Sequence, residues 1–271
     1  MDFRQHVAFG RTGLTVSRMG LASGYGVPTA AIEKAFHEYG INYLWLSLLL
    51  PRHMVRAVRN LAPRYRDQLR IVVAWPAFAA SFLQGSVERF LRTLGIERAD
   101  LLVVQGLSRP PGHALLDRLH QVKNSGRVRF VGMSSHDRSF YGRVMRGEVS
   151  VPVDFFHVRY NAVHPGAEND VFPHLPSEGR PGIGIYTATC WGKLVRPGAA
   201  PAGEHPLAPA DCYRFVLSHP DVNVCVTAPS TQAQMEANLK ALEAGPLDDQ
   251  EMARMRRFGH GLRPKPKTRR G

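Results

Sequence analysis

The sequence predicts an α/β fold: a (β/α)8 TIM barrel preceded by a small N-terminal β-hairpin. Three observations lead there. Short apolar runs alternate with amphipathic stretches along almost the whole chain, the pattern of parallel strands joined by helical crossovers. Eight such runs occur, which argues for a closed barrel over an open, doubly wound sheet. A chain of 271 residues buries a sizeable core and matches the size of one complete barrel. No linker-like stretch divides it, so residues 1–262 are expected to form one barrel domain and 263–271 a basic, disordered tail.

Taken in order, residues 6–9 and 15–17 flank the turn-rich 10–13 and read as the hairpin. The barrel strands are expected at 19–22, 41–46, 71–75, 101–105, 128–134, 155–160, 183–186 and 224–227. Helices are expected between them, among them 29–39, 54–61, 86–94, 115–124 and 232–244. Within 29–39, Ile32, Ala35 and Phe36 share one face while Glu33, Lys34 and Glu38 lie elsewhere, as an outer barrel helix requires. The Pro/Gly/Ala-rich segment 196–209 reads as a long loop leading to a helix at 211–218.

Composition narrows the function classes. A hydrophobic content of 44% with 21% charged residues is ordinary for a soluble globular protein. The longest apolar stretch, 43–50, is far short of the roughly 20 residues that span a bilayer. The opening MDFRQHVAFG has no apolar stretch of signal-peptide type, so a cytoplasmic location is expected. Cys190, Cys212 and Cys225 are odd in number and lack metal-ligand spacing, which reads as free thiols, no structural disulfide and no metal. The net charge of +13 comes from 35 Lys plus Arg against 22 Asp plus Glu. Part of it sits in the tail RPKPKTRRG, whose favoured reading is a solvated segment rather than a nucleic-acid arm. No zinc finger, basic recognition helix or aromatic RNA-binding motif accompanies that charge, so nucleic acid is not the favoured partner.

Several segments share an order and spacing with a known family. They are FGRTGLTVSRMGLAS (9–23), AIEKAFHEYGIN (31–42), GRVRFVGMSSH (126–136), VRYNAVHPGAENDVFPHL (158–175), IGIYTATCWGKL (183–194) and VCVTAPSTQAQMEANL (224–239). Together they resemble the aldo-keto reductases, which reduce carbonyls with NADPH on a (β/α)8 barrel. The resemblance implies a site built from loops at the carboxyl ends of the strands. It also implies four catalytic residues: a tyrosine acid, a lysine that lowers its pKa, an aspartate bound to the lysine, and a histidine near the carbonyl oxygen. Hydride delivery to a carbonyl creates an alkoxide that these groups stabilise and protonate.

In the register of that resemblance, all four positions are replaced. The aspartate position is Trp45, the tyrosine position Leu50, the lysine position Pro76 and the histidine position Gln105. Tryptophan, leucine and proline transfer no protons, and glutamine donates a hydrogen bond but shuttles none at neutral pH. His53 and His136 are candidate substitutes at loop mouths, with a polar surface role favoured for both. Arg52 and Arg56 read as a solvated helix face, and Tyr43 as core one layer below any substrate. Trp45, Trp75 and Trp191 are candidate apolar walls of the mouth.

The cofactor half of the pattern is better kept. The resemblance implies nicotinamide contacts from Ser23, Ser134, Ser135, His157 and Tyr186, phosphate contacts near Ser230 and Gln234, and an adenine contact from Asn238. Backbone N–H groups at the helix start after the eighth strand suit phosphate, with Ser230 and Thr231 as contacts. The implied cofactor is NADP(H), and the implied partner a small-molecule ligand or carbonyl substrate. Two functions are compatible with this: an oxidoreductase with an altered site, or a catalytically inactive barrel that binds a nucleotide, metabolite or protein partner. Nothing in the sequence selects a substrate or an oligomeric state.

Overall fold

The computed structural model describes residues 1–47, 49–107, 110–201 and 203–263, except the side chains of 78–80. The tail expected to be disordered lies, from 264 on, outside the described residues. The chain opens with the hairpin β1 (Val7–Ala8) and β2 (Thr15–Val16), paired antiparallel across a turn at Gly10–Thr12. Parallel strands β3 (Met19–Ala22), β4 (Tyr43–Leu46), β5 (Arg70–Pro76), β6 (Ala99–Gln105), β7 (Val128–Ser135), β8 (Phe155–Arg159), β9 (Gly182–Tyr186) and β10 (Val224–Thr227) follow. They close into a barrel in which β10 pairs with both β3 and β9.

The helices pack outside: α1 (Thr29–Tyr39), α2 (Arg52–Tyr65), α3 (Leu83–Leu94), α4 (His113–Asn124), α5 (Arg138–Met145), α6 (Ala167–Asp170), α7 (Pro209–Leu217), α8 (Gln232–Ala244) and α9 (Asp249–Gly261). Ile32, Ala35 and Phe36 of α1 are buried, as the apolar face of that segment requires. Three of these helices, α5, α6 and α9, are not among those the sequence reading names. Helix α5 is started by Asp137, whose carboxylate accepts from the Ser139 and Phe140 amides. Helix α9 is started by an Asp248–Glu251 capping box, a pattern present in the sequence. Among the described residues no helix is long and apolar enough to cross a membrane.

Parity along each strand separates two cores. On β5, Val72 and Ala74 face the barrel interior while Ile71, Val73 and Trp75 face the helices. Strands buried on both faces read as the continuous apolar runs seen in the sequence. This corrects one expectation: Trp75 is no wall of the mouth but packs beside the Phe90 ring of α3, 6.3 Å between centroids. The strand expected to start at residue 41 starts at Tyr43, because Asn42 clasps the hairpin instead. Its side chain accepts from the Ser17 amide at 2.9 Å and donates to the Thr15 carbonyl at 3.2 Å.

The hairpin plugs the amino-terminal end of the barrel. Phe9, fully buried, sets its ring 5.9 Å from Tyr43 and 5.3 Å from Phe155. Large aromatic rings inside a narrow barrel need facing positions without side chains. Gly132 is such a position, since a Cβ there would collide with the Phe155 ring, and Gly184 plays the same part for His157. The glycines of β7 and β9 therefore decide where His157 stands, one layer above the plug.

Candidate active site at the barrel mouth

A cavity of about 690 Å³ opens at the carboxyl ends of the strands, within the size range of small-molecule sites. Two of the four replaced positions, Trp45 and Gln105, line it; Leu50 and Pro76 do not. Trp45 is 9% exposed and meets His157 edge to face, 4.5 Å between ring centroids. Leu50 sits in the connection before α2 with φ 45°, its amide donating to the Ser47 carbonyl at 3.1 Å. Pro76 ends β5, paired with Gln105 across the sheet. This side of the mouth offers an indole and an amide.

Of the eight residues in the expected cofactor strip, Ser134, His157, Tyr186, Ser230 and Gln234 line the cavity, while Ser23, Ser135 and Asn238 do not. Ser23 is buried and accepts from the Ser47 amide at 3.1 Å. Ser135 accepts from the Asp137 amide at 3.0 Å, just ahead of α5. Asn238 donates at 2.9 Å to Thr227, whose hydroxyl also bonds Tyr213 at 2.7 Å. Tyr213 does line the cavity, from α7, a helix too far along the chain for spacing to suggest it. The turn after β10 is internally closed: the Ser230 amide and hydroxyl both donate to the Gln234 side chain, at 2.9 and 2.7 Å. A phosphate there competes with that amide oxygen.

His157 is the chemical centre of the floor. It is fully buried, and burial pushes its pKa down to about 3, so the ring is neutral. Its Nε2 lies 2.8 Å from the Tyr43 hydroxyl. Burial also raises the Tyr43 pKa well above the usual phenol value, so this hydroxyl keeps its proton. With Tyr43 donating to Nε2, the ring proton resides on Nδ1, which has no hydrogen-bond partner. The opposite tautomer strands two groups, the phenol hydrogen and Nδ1, and is disfavoured for that reason. The floor thus holds one unmet N–H donor, sealed from solvent. Tyr43 was expected as plain core; it is core, and it also fixes the polarity of the ring above it.

The loop after β9 is strained. Thr187, Cys190 and Trp191 hold φ values of 66°, 51° and 55°, the left-handed region that non-glycine residues avoid. Such residues cost of order 1–3 kcal/mol each and persist only where neighbours hold them. Here Asn161, fully buried, donates to the Thr187 carbonyl at 2.8 Å while its own oxygen accepts from the Val163 and His164 amides. The Cys190 amide closes on the Thr187 carbonyl at 2.8 Å. Thr187, Ala188, Thr189, Trp191 and Gly192 all reach the cavity. Nothing in the sequence marks these positions, because no glycine stands at 187, 190 or 191.

At the rim, His136 is exposed and stacks on Trp191, with 6.1 Å between ring centroids and 8° between planes. Its pKa is lowered by partial burial and then by the Arg159 charge. Tyr186 donates to the Ser135 carbonyl at 2.9 Å, and burial raises its pKa. His53 lies outside the cavity lining, its Nε2 sealed off without a partner, and Arg52 and Arg56 are exposed on α2. Among the described residues lining the cavity there is no Asp, Glu, Lys or Arg. The site can orient and stack a ligand and donate hydrogen bonds to it. Among the described residues lining the site, His136 is an exposed histidine, while His157 is buried.

No protein-family model matches the sequence, and no curated protein matches it. Solved structures do resemble the fold. The aldo-keto reductase AKR11C1 from Bacillus halodurans, in its holo form, superposes with a TM-score of 0.76 at 18% identity, covering 96% of this chain and 98% of that one. Its apo form gives 0.74 at 19% identity over the same shares, 96% and 98%. PA4992 from Pseudomonas aeruginosa, a candidate member of the same group, gives 0.65 at 21% identity, covering 90% of this chain and 98% of that one. At such identities the likeness establishes a shared (β/α)8 fold with an N-terminal hairpin.

Proposed function

We propose that this chain is an aldo-keto reductase homologue that takes NADP(H) at the barrel mouth. It works on a carbonyl-bearing small molecule through a site rebuilt without the family's tyrosine, lysine, aspartate and histidine. The observation that carries the reading is the single cavity wall formed by Ser134, His157, Tyr186, Ser230 and Gln234, drawn from four separate elements and the turn before one of them. The unmet Nδ1–H of His157 suits a carboxamide oxygen, and the Tyr186 face suits an aromatic ring. When bound, the cofactor supplies the hydride. The chain supplies orientation, with Trp45 excluding water from the floor and His136 as the nearest exchangeable proton at the rim. Lacking a tuned tyrosine acid, it is expected to run about 10²–10⁴-fold below a reductase that has one.

A second reading, a non-catalytic barrel that binds a nucleotide, metabolite or protein partner, draws support from Trp45. An indole fills the place where the resemblance puts a carboxylate, and it packs on His157 as a core residue does. Both readings meet one experiment: NADPH titration by fluorescence quenching, followed by turnover on a broad aldehyde panel. Saturable binding with slow turnover that His136→Gln abolishes supports the first. Binding without turnover selects the second, and no binding at millimolar NADPH sinks the cofactor assignment.

A further inference from the structure

Arg159 ends β8 and shares strand parity with Phe155 and His157, whose side chains fill the barrel. Register pairs it with Tyr186 on β9, and it lies one residue past the Ser135–Val158 pair, as His136 does just beyond the end of β7. Tyr186 and His136 both line the cavity. Arg159 is half-buried, and its Nε is sealed from solvent without a hydrogen-bond partner. Among the described residues no carboxylate lies within ion-pair distance of it. Arg66, Arg138 and Arg214 hold Asp100 at 2.9 Å, Asp170 at 2.9 Å and Glu251 at 2.6 Å, and Arg18 and Arg70, without a carboxylate, donate to the Leu217 and Thr15 carbonyls. Among the described residues Arg159 makes neither kind of contact. A desolvated cation is costly unless an anion meets it. The unrelieved charge is felt nearby, where it adds to burial in depressing the pKa of His136 and His164.

We propose that Arg159, flanked by His136, forms an oxyanion subsite at the rim of the cavity, taking the carboxylate or phosphoryl group of a small molecule whose remainder occupies the mouth. A guanidinium suits either group, since its fork of donors matches two oxygens at once. The subsite is separate from the residues of the cofactor strip and stands whether or not NADP(H) is the occupant.

The test uses the full chain at fixed ionic strength, titrated separately with succinate and with inorganic pyrophosphate. Arginine Nε–H signals are followed by nuclear magnetic resonance, alongside tryptophan fluorescence, which senses Trp191 on His136. Expected is a saturable shift of one Nε–H signal that is missing from the Arg159→Lys spectrum. Affinity should fall by about tenfold or more in Arg159→Gln. The control Arg56→Gln removes the same charge from the exposed face of α2 and should change affinity by less than about twofold. Tighter binding of pyrophosphate assigns a phosphate-bearing ligand, and tighter binding of succinate a carboxylate. Equal losses in the two glutamine variants, or no saturation with either probe, overturn the proposal. Should Arg159→Gln fail to fold, the wild-type Nε–H shift decides. A chain that binds a probe at Arg159 but not NADPH keeps this subsite and loses the cofactor reading.

Discussion

On the β4–β6 side of the mouth the cavity meets Trp45 and Gln105; on the β7–β10 side it meets Ser134, His157, Tyr186, Ser230 and Gln234. Neither Trp45 nor Gln105 moves a proton. The second side is held by supporting bonds: Tyr43 to His157, Tyr186 to the Ser135 carbonyl, Ser230 to Gln234, and Asn161 to the strained loop after β9. Strain and a neutral buried histidine lower stability, and a chain keeps them where its surroundings fix them. The contrast separates two abilities that one pocket usually combines, holding a ligand and reacting with it. In this barrel the β7–β10 wall is maintained by supporting hydrogen bonds, while the β4–β6 wall meets the cavity with the Trp45 indole and the Gln105 amide.

Restoring the reactive wall gives the largest expected effect. The combined variant Trp45→Asp, Leu50→Tyr, Pro76→Lys and Gln105→His is expected to raise NADPH-dependent aldehyde reduction about 10²–10⁴-fold. Unchanged turnover in a folded variant that binds NADPH would mean that the polar wall does not present the nicotinamide to the restored acid. Next in size is the response to acid. His157 carries a folded pKa of about 3, below the unfolded value of about 6.5, so it has no effect on stability through protonation above pH 6.5. It destabilises the fold progressively as pH falls toward 3, where the unfolded ring takes a proton that the folded ring does not. One such group contributes a slope of about 1.4 kcal/mol per pH unit through that window. His157→Gln should remove that slope from urea-unfolding free energies measured between pH 4 and 6.5. An unchanged slope would mean that the ring is not held neutral.

Tyr43→Phe is a smaller perturbation of the same floor. It deletes the donor to Nε2 and leaves that nitrogen buried and unmet, at about 1–3 kcal/mol. Denaturant midpoints read this directly, and a loss no greater than that of a surface substitution would show the bond to be idle. The smallest effect expected is in binding. Tyr186→Leu should weaken NADPH by roughly 3- to 10-fold, the equivalent of about 0.5–1.5 kcal/mol of aromatic stacking. Leu50→Ala, outside the cavity, should leave affinity unchanged. Equal losses from both would erase the distinction between the walls.

Much of the fold is legible along the chain. The strands at Met19–Ala22 and Val224–Thr227 and the helices at Thr29–Tyr39 and Gln232–Ala244 fall where the apolar pattern puts them. Helix α5 is harder, since Arg138–Met145 is short and its buried face reduces to Phe140, Tyr141 and Gly142. The site is legible by position but not by contact. Ser135 and Asn238 sit on the right elements, yet their side chains support α5 and Thr227 rather than the cavity. Tyr213, Thr187 and Trp191 reach it without any local signal, because a cavity gathers residues from distant segments and from backbone angles that composition does not encode.

The sequence by itself determined the alternation of strands and helices, the hairpin before them and the chemical poverty of positions 45, 50, 76 and 105, since residue type and periodicity are local properties. Only the tertiary structure decided that Tyr43 and His157, 114 residues apart, share a proton bond. It alone put Trp45 and Gln105 in the cavity while leaving Leu50 and Pro76 out, and left Arg159, at the end of β8, with a buried Nε and no partner for it. Burial and pairing depend on distances between segments far apart in the chain, and barrel closure is what sets those distances.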